Sequence, residues 1–180
     1  YISNTYYFYT RGSKGVCVEP NPYLYNKIKK LRAKDICINA GIGVENTTAA
    51  DFYLFPDSAN GLSTFSKESA DYWANIGMDK LGKIHYDKVI SMPLININTI
   101  IESHLNNAPD LLSIDVEGLD LAILQSLDFD KYKPKAICVE TLNYNELQQE
   151  YKTTEVADFL KTKGYFVYAD TRINTIFVAD

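Results

Sequence analysis

Polar residues that could do chemistry stand where short apolar runs stop. Glu19 follows Val16-Cys17-Val18, Asn39 follows Ile36-Cys37-Ile38, Asp115 and Glu117 follow Leu111-Leu112-Ser113-Ile114, and Glu140 follows Ala136-Ile137-Cys138-Val139. An acid at the end of a first strand can accept hydrogen bonds from both hydroxyls of a nucleoside ribose, which suits Glu19; the alternative is a partner for the dipole of a helix opening at Pro22. Asn39 either offers its amide to a ring edge such as that of adenine or serves as a turn residue. Asp115 and Glu117 bring two carboxylates to one spot, with Gly118 allowing close backbone approach. Asp115 can hold an amino group or act as a base toward a hydroxyl, and each acid alone can also cap a helix. Capping explains one such acid more readily than two. Glu140 ends a run that is otherwise wholly apolar, where an ionised side chain is costly unless it lines a cleft or is paired.

His85 and His104 are the only histidines, and neither has a companion at ligand spacing, so no metal is expected. His104 reads as a helix C-terminal residue, while His85 borders a long polar segment and is a further candidate base. Neither a Gly-x-Ser-x-Gly elbow nor a Gly-x-x-x-x-Gly-Lys loop occurs, which removes the common hydrolase and nucleoside-triphosphatase readings.

The elements that must position these residues follow from apolar spacing. Residues 15–19 form a strand, after which Asn21 caps a helix with Pro22 in its first turn and Leu24, Ile28 and Leu31 on one face. Strands follow at 35–39, closed by a turn over 40–43, at 51–55, and across 88–97. A short helix capped by Asn98 or Thr99 runs through His104. Residues 111–116 form a buried strand leading to a helix with Leu119, Ile123, Leu124 and Leu127 on one side. Residues 135–141 form another, and a helix opened by Thr153 ends at Gly164. Strand-like runs at 165–169 and 175–179 are separated only by residues 170–174, too few for a parallel crossover, so they pair antiparallel. The expected fold is α/β, a mainly parallel sheet ending in a C-terminal antiparallel hairpin. A dinucleotide-binding oxidoreductase would continue in parallel and is disfavoured. Residues 56–88 lack clear sheet signals and form either a lid or a surface loop, and Tyr72 with Trp73 favours the lid.

Composition bounds the class. The 180 residues, 46% hydrophobic and 23% charged, supply one globular domain. A formal charge of -5 with mixed signs argues against a nucleic-acid or anionic-membrane partner. The longest apolar runs are far short of the roughly 20 residues that span a bilayer. Cys17, Cys37 and Cys138 are odd in number and lie in apolar runs, the pattern of buried thiols in a reducing cytoplasm.

Several stretches together resemble the FkbM-type methyltransferases: Ser3-Asn4-Thr5-Tyr6-Tyr7-Phe8-Tyr9, Val18-Glu19-Pro20-Asn21-Pro22, Met92-Pro93-Leu94, residues 111–119 (LLSIDVEGL) and residues 136–140 (AICVE). The similarity runs over nearly the whole chain, and its sharpest piece is Ile114-Asp115-Val116-Glu117-Gly118. The resemblance implies a Rossmann-like class I methyltransferase fold that binds S-adenosylmethionine and methylates a hydroxyl of a small-molecule or carbohydrate acceptor. It implies that Glu19 binds the ribose and that Asp115 and Glu117 line the cofactor and acceptor pocket. Asn60, Gly61, Ser63 and Thr64 match a stretch near the acceptor, a role also open to Glu140. Ser3, Asn4 and Thr5 would begin a helix near the methionine carboxylate, since helix N-termini attract anions. Two departures stand out. The family's first strand and Gly-rich turn would precede Tyr1, so the chain is expected to begin inside the fold, and Asn98 stands where an Asp is frequent. The expectation is a cytoplasmic methyltransferase; a catalytically silent binding module with the same fold is the alternative.

Overall fold

The structure, a computed structural model, describes residues 3–44, 47–76, 84–116, 118–144 and 150–180. They form two compact units, one from Val16–Asn96 and one joining the described residues up to Gly15 with Ile97–Asp180. A short helix, α1 (Tyr6–Thr10), belongs to the second.

The unit Val16–Asn96 opens with β1 (Val16–Val18), α2 (Pro22–Leu31) and β2 (Ile36–Ile38). β1 and β2 pair in parallel with Cys17 opposite Cys37. The helix starts as its sequence requires. Asn21 takes an extended backbone and its Oδ1 accepts from the N–H groups of Tyr23 at 3.0 Å and Leu24 at 3.4 Å, satisfying donors that the first turn leaves without partners.

The next strands are β3 (Gly41–Ile42), β4 (Ala49–Leu54) and β5 (Lys88–Ile95), ordered β3-β5-β4. The expected turn over 40–43 contains β3, paired in parallel with Leu94 and Ile95. β4 pairs antiparallel with β5. Both faces of β4 are covered, because successive side chains alternate. Phe52 and Leu54 pack with Met92, Phe65 and Ile90, whereas Tyr53 and Phe55 pack with Ala59, Ala70, Ile84, Leu62, Trp73 and Tyr86. The described part of 56–88 therefore supplies a layer over β4: a 3-10 helix (Asp57–Leu62), an antiparallel bridge of Thr64 to Tyr53, and α3 (Lys67–Ile76). Trp73 is used in this packing, and Tyr72 stays exposed at its edge.

The second unit continues with α4 (Ile97–His104), β6 (Leu111–Ile114), α5 (Asp120–Ser126), β7 (Ala136–Glu140), β8 (Leu142–Tyr144), β9 (Glu150–Lys152), α6 (Glu155–Thr162), β10 (Tyr165–Asp170) and β11 (Asn174–Ala179). The helix starts at Ile97, so Asn98 is not its cap. Instead Asn98 Nδ2 donates to the Ser126 carbonyl at 2.7 Å and its Oδ1 accepts from Asp128 N–H at 2.8 Å, fastening the end of α5. The sheet order is β10-β11-β7-β6. β10 and β11 form the expected antiparallel hairpin. β11 is also antiparallel to β7, while β6 and β7 are parallel. A mainly parallel sheet was expected, and the described sheets are mixed. Beyond the expected hairpin, the difference lies in β4, which pairs antiparallel with β5. β8 and β9 form a further two-stranded antiparallel ribbon.

The core of this sheet is one face of alternating residues, with Ile114, Ile137, Val139, Thr175 and Phe177 all buried. Val156 and Leu160 of α6 and Ile123 and Leu124 of α5 are buried too. α6 stops at Gly164, whose φ of 75° is a left-handed conformation that favours glycine.

Candidate functional site

The sequence candidates fall into two groups, one in each unit. In the unit containing β6 and β7, register decides which side chains share a place. Ile114 pairs with Val139 and Val139 with Thr175, a row buried in the core. One step further, Glu140 pairs with Asn174, and Asp115 is the first residue past the last registered pair of β6. Because the pleat alternates, Asp115, Glu140 and Asn174 belong to the opposite face, the face of Ser113 and Cys138. Asn4 reaches that face as well, its Nδ2 donating to Ser113 Oγ at 3.3 Å. The Asp115 charge bears on Cys138, whose thiol pKa is raised first by burial and further by Asp115, against a Ser113 hydrogen bond that lowers it.

Beyond Asp115 the chain turns into α5. Gly118 has φ 95°, open to glycine at little cost, and its N–H donates to Asp120 Oδ2 at 3.3 Å. Asp120 is buried, and burial raises its pKa; the backbone N–H groups of Asp120, Gly118 and Val116 act against this, and the negative Asp115 adds to it. Its Oδ1 has no hydrogen-bond partner. Asn174 Oδ1 is likewise buried without a partner. These are the two such oxygens among the described residues, and neither residue was a sequence candidate. An acid in a first helical turn reads as a dipole partner and an Asn beside a five-residue connection reads as a turn former; only burial distinguishes them. Glu117 lies outside the described residues. Thr5 occupies the N-cap of α1, and Ser3 accepts from Tyr6 N–H through its carbonyl at 3.4 Å.

In the unit Val16–Asn96, the turn after β1 gathers Glu19, Asn21, Asn39 and Ser63. Glu19 Oε1 accepts from Asn21 N–H at 2.8 Å, leaving Oε2 for a ligand. Burial raises the pKa of this carboxyl and the Asn21 hydrogen bond opposes the rise. Asn39 spends both amide hydrogens on the chain, donating to the carbonyls of Glu19 at 2.8 Å and Pro20 at 3.0 Å, so its Oδ1 is what it can offer. Ser63 Oγ accepts from Phe55 N–H at 3.2 Å and meets Asn21 Nδ2 at 3.5 Å. The 60–64 stretch is thereby fixed beside the Glu19 turn. Thr64 is buried and its hydroxyl accepts from Ser66 N–H, whereas Asn60 and Gly61 keep surface. His85 is exposed between buried Ile84 and the packed Tyr86.

Cys17 and Cys37 face each other across β1 and β2 as free thiols. Burial lifts the Cys17 pKa to about 11, so the thiol is protonated and a poor nucleophile. Among the described residues no cluster of His, Cys, Asp and Glu could hold a metal ion, and no helix is long and apolar enough to cross a membrane.

The arrangement offers hydrogen-bond acceptors at two places, Glu19 with Asn39 and Asp115 with Glu140 and Asn174. No curated protein and no solved structure matches the chain significantly. The family model described as the methyltransferase FkbM domain matches residues 1–167, and the chain belongs to the FkbM methyltransferase family.

Proposed function

We propose that the protein is an S-adenosylmethionine-dependent O-methyltransferase acting on a hydroxyl of a small-molecule or carbohydrate acceptor. The observation that carries this reading is the acid row at the end of β6 and β7, reached by Asn4, in a chain of a methyltransferase family. The donor and acceptor chemistry fits the cofactor. Adenosine presents two ribose hydroxyls and an exocyclic amine, all donors, and Glu19 Oε2 and Asn39 Oδ1 are acceptors. Asn4, with Ser3 and Thr5, is suited to the methionine end.

The cofactor supplies a sulfonium methyl group. The protein's part is to align an acceptor oxygen with it and to take a proton. A carboxylate of this chain would take the proton of the acceptor hydroxyl while the surrounding residues hold that hydroxyl in line with the methyl group. Asp115 is the proposed proton acceptor, since it is exposed at the end of β6. Asn60 and Gly61 are the members of the 60–64 stretch with surface to offer an acceptor, because the Ser63 and Thr64 hydroxyls are engaged within the protein.

Calorimetric titration with S-adenosylhomocysteine, followed by transfer of labelled methyl from S-adenosylmethionine to a panel of hydroxyl compounds, tests the reading. Saturable one-site binding and label transfer are expected. A folded protein that gives no heat with S-adenosylhomocysteine would refute it, and binding without transfer to any hydroxyl would favour a silent binding module.

A further inference from the structure

We infer that β10 is a docking edge for a second copy of this chain, the two β10 strands pairing antiparallel about a two-fold axis through Phe166. Among the described residues β10 is the outermost strand of the order β10-β11-β7-β6, with β11 on one side of its backbone and an open edge on the other. Edge strands are ordinarily guarded by charges or prolines. This one instead presents Phe166, Val167 and Tyr168 in succession, 48%, 52% and 71% exposed.

The ladder determines which backbone groups that edge offers. Asp180 N–H donates to the Gly164 carbonyl at 3.0 Å, and the register continues with Tyr165 opposite Ala179, Phe166 opposite Val178 and Val167 opposite Phe177. Bonded and non-bonded pairs alternate in an antiparallel ladder, so Gly164 and Phe166 direct their backbone groups at β11, while Tyr165 and Val167 direct theirs outward. Two copies set antiparallel with Phe166 opposite Phe166 bring Tyr165 of each against Val167 of the other, and the outward groups meet as reciprocal N–H···O=C pairs. Phe166 then occupies the non-bonded position between them, where Cα atoms approach to about 4.5 Å and the two rings come together. The register shift between Val167 and Ala169 interrupts the ladder at Tyr168, which confines the pairing to 165–167 and centres it on Phe166.

Charge selects a second copy as the occupant. Beside this stretch lies a groove of about 230 Å³ whose helical wall includes Asp158 and Lys161 of α6, both exposed and one turn apart. The groove sets them alongside Phe166, so a two-fold axis through Phe166 passes between them and reverses the second helix. Asp158 of one copy then faces Lys161 of the other, and the reverse. A foreign strand would have to bring the opposite order of charges, whereas a second copy brings it by symmetry.

The test is sedimentation equilibrium of the intact chain over about 5–500 µM, a range that reaches weak, small interfaces, with amide hydrogen exchange read at both ends of it. A monomer–dimer equilibrium is expected, with the Tyr165 and Val167 amides exchanging at least about tenfold more slowly in the dimer. Phe166→Lys places two like charges side by side at the axis and should weaken the dimer at least about tenfold. Asp158→Lys should weaken it too, and Lys161→Asp added to Asp158→Lys should restore it, because the exchange preserves each opposite pair. Should a variant fail to fold, the exchange of Tyr165 and Val167 in the natural chain decides the matter. A chain that stays monomeric throughout would overturn the inference and leave the edge to a strand of another protein. A dimer undiminished by Phe166→Lys, a double variant no tighter than Asp158→Lys alone, or Tyr165 and Val167 amides indifferent to concentration would overturn it equally.

Discussion

Glu19 has one role in the fold and one proposed role toward a ligand, and a pair of substitutions can pull them apart. Its Oε1 holds the Asn21 N–H at 2.8 Å, and Asn21 caps α2, so removing the side chain disturbs the entry to the helix as well as any ligand. Glu19→Ala deletes one hydrogen bond to a charged acceptor, about 1.5–3 kcal/mol gross. Part of that is returned because burial already disfavours the ionised carboxyl, as its raised pKa records. A net stability loss of about 1 kcal/mol is expected, the usual cost of weakening a helix start. Glu19→Gln keeps an oxygen for Asn21 N–H and removes the buried charge, so its stability at neutral pH should match or exceed that of the natural chain. Ligand binding should behave differently. If Oε2 serves the ribose hydroxyls, both variants lose charge-assisted hydrogen bonds of about 1.5–3 kcal/mol each, and about 1.4 kcal/mol is one decade of affinity. Denaturant melts combined with titration of S-adenosylhomocysteine read both quantities. The expected pattern is Ala destabilised and Gln stable, with both at least about tenfold weaker in binding. A folded Glu19→Gln protein with unchanged affinity would show that the acid serves the turn alone.

The carboxyl of Asp120 is predicted to make stability fall as pH rises. Its folded pKa is raised, so the favourable state is the protonated one, and stability is lost from the unfolded value of about 3.9 upward through the higher folded value. Asp120→Asn should abolish that decline, its advantage over the natural chain growing between acid and neutral pH in urea melts; a pH-independent difference would contradict the burial argument. Asn98→Ala removes both a donor to Ser126 and an acceptor for Asp128, and should cost about 1–3 kcal/mol in the same assay, whereas Asn98→Asp should restore only the Asp128 bond. Gly41→Ala places a methyl against the Phe65 ring and 2.8 Å from Leu94 Cδ2, so overpacking of about 1–3 kcal/mol is expected, with a shift of the Phe65 ring resonances; an unchanged melting point would mean the Phe65 ring relaxes freely.

What could be read from the sequence was what local chemistry decides. Asn21 and Pro22 name the start of α2 without help from the rest of the chain, because capping satisfies donors within one turn. The C-terminal hairpin was readable for a similar reason, since a connection spanning 170–174 leaves no parallel alternative. β3 was not. Two residues carry no periodicity, and Gly41 with Ile42 pairs only because Leu94 and Ile95 arrive beside them. β8 and β9 were missed because residues 142–152 lack apolar alternation and an antiparallel ribbon is held by backbone groups that every residue owns. The layer over β4 was half readable. Trp73 signalled that 56–88 packs on something, but which strand it covers depends on Tyr53 and Phe55 pointing to the face opposite Phe52 and Leu54.

The candidate site divides along the same line. Glu19, Asn39, Asp115 and Glu140 were visible because a polar residue ending an apolar run is costly in a core and useful in a cleft. Asp120 and Asn174 have equally polar side chains, yet each has an innocent explanation in its own segment. Their meaning depends on which acceptors the folded chain leaves without donors, and that is a property of the whole unit. The raised carboxyl of Asp120 and the unpaired oxygens of Asp120 and Asn174 are costs that the fold does not recover by itself.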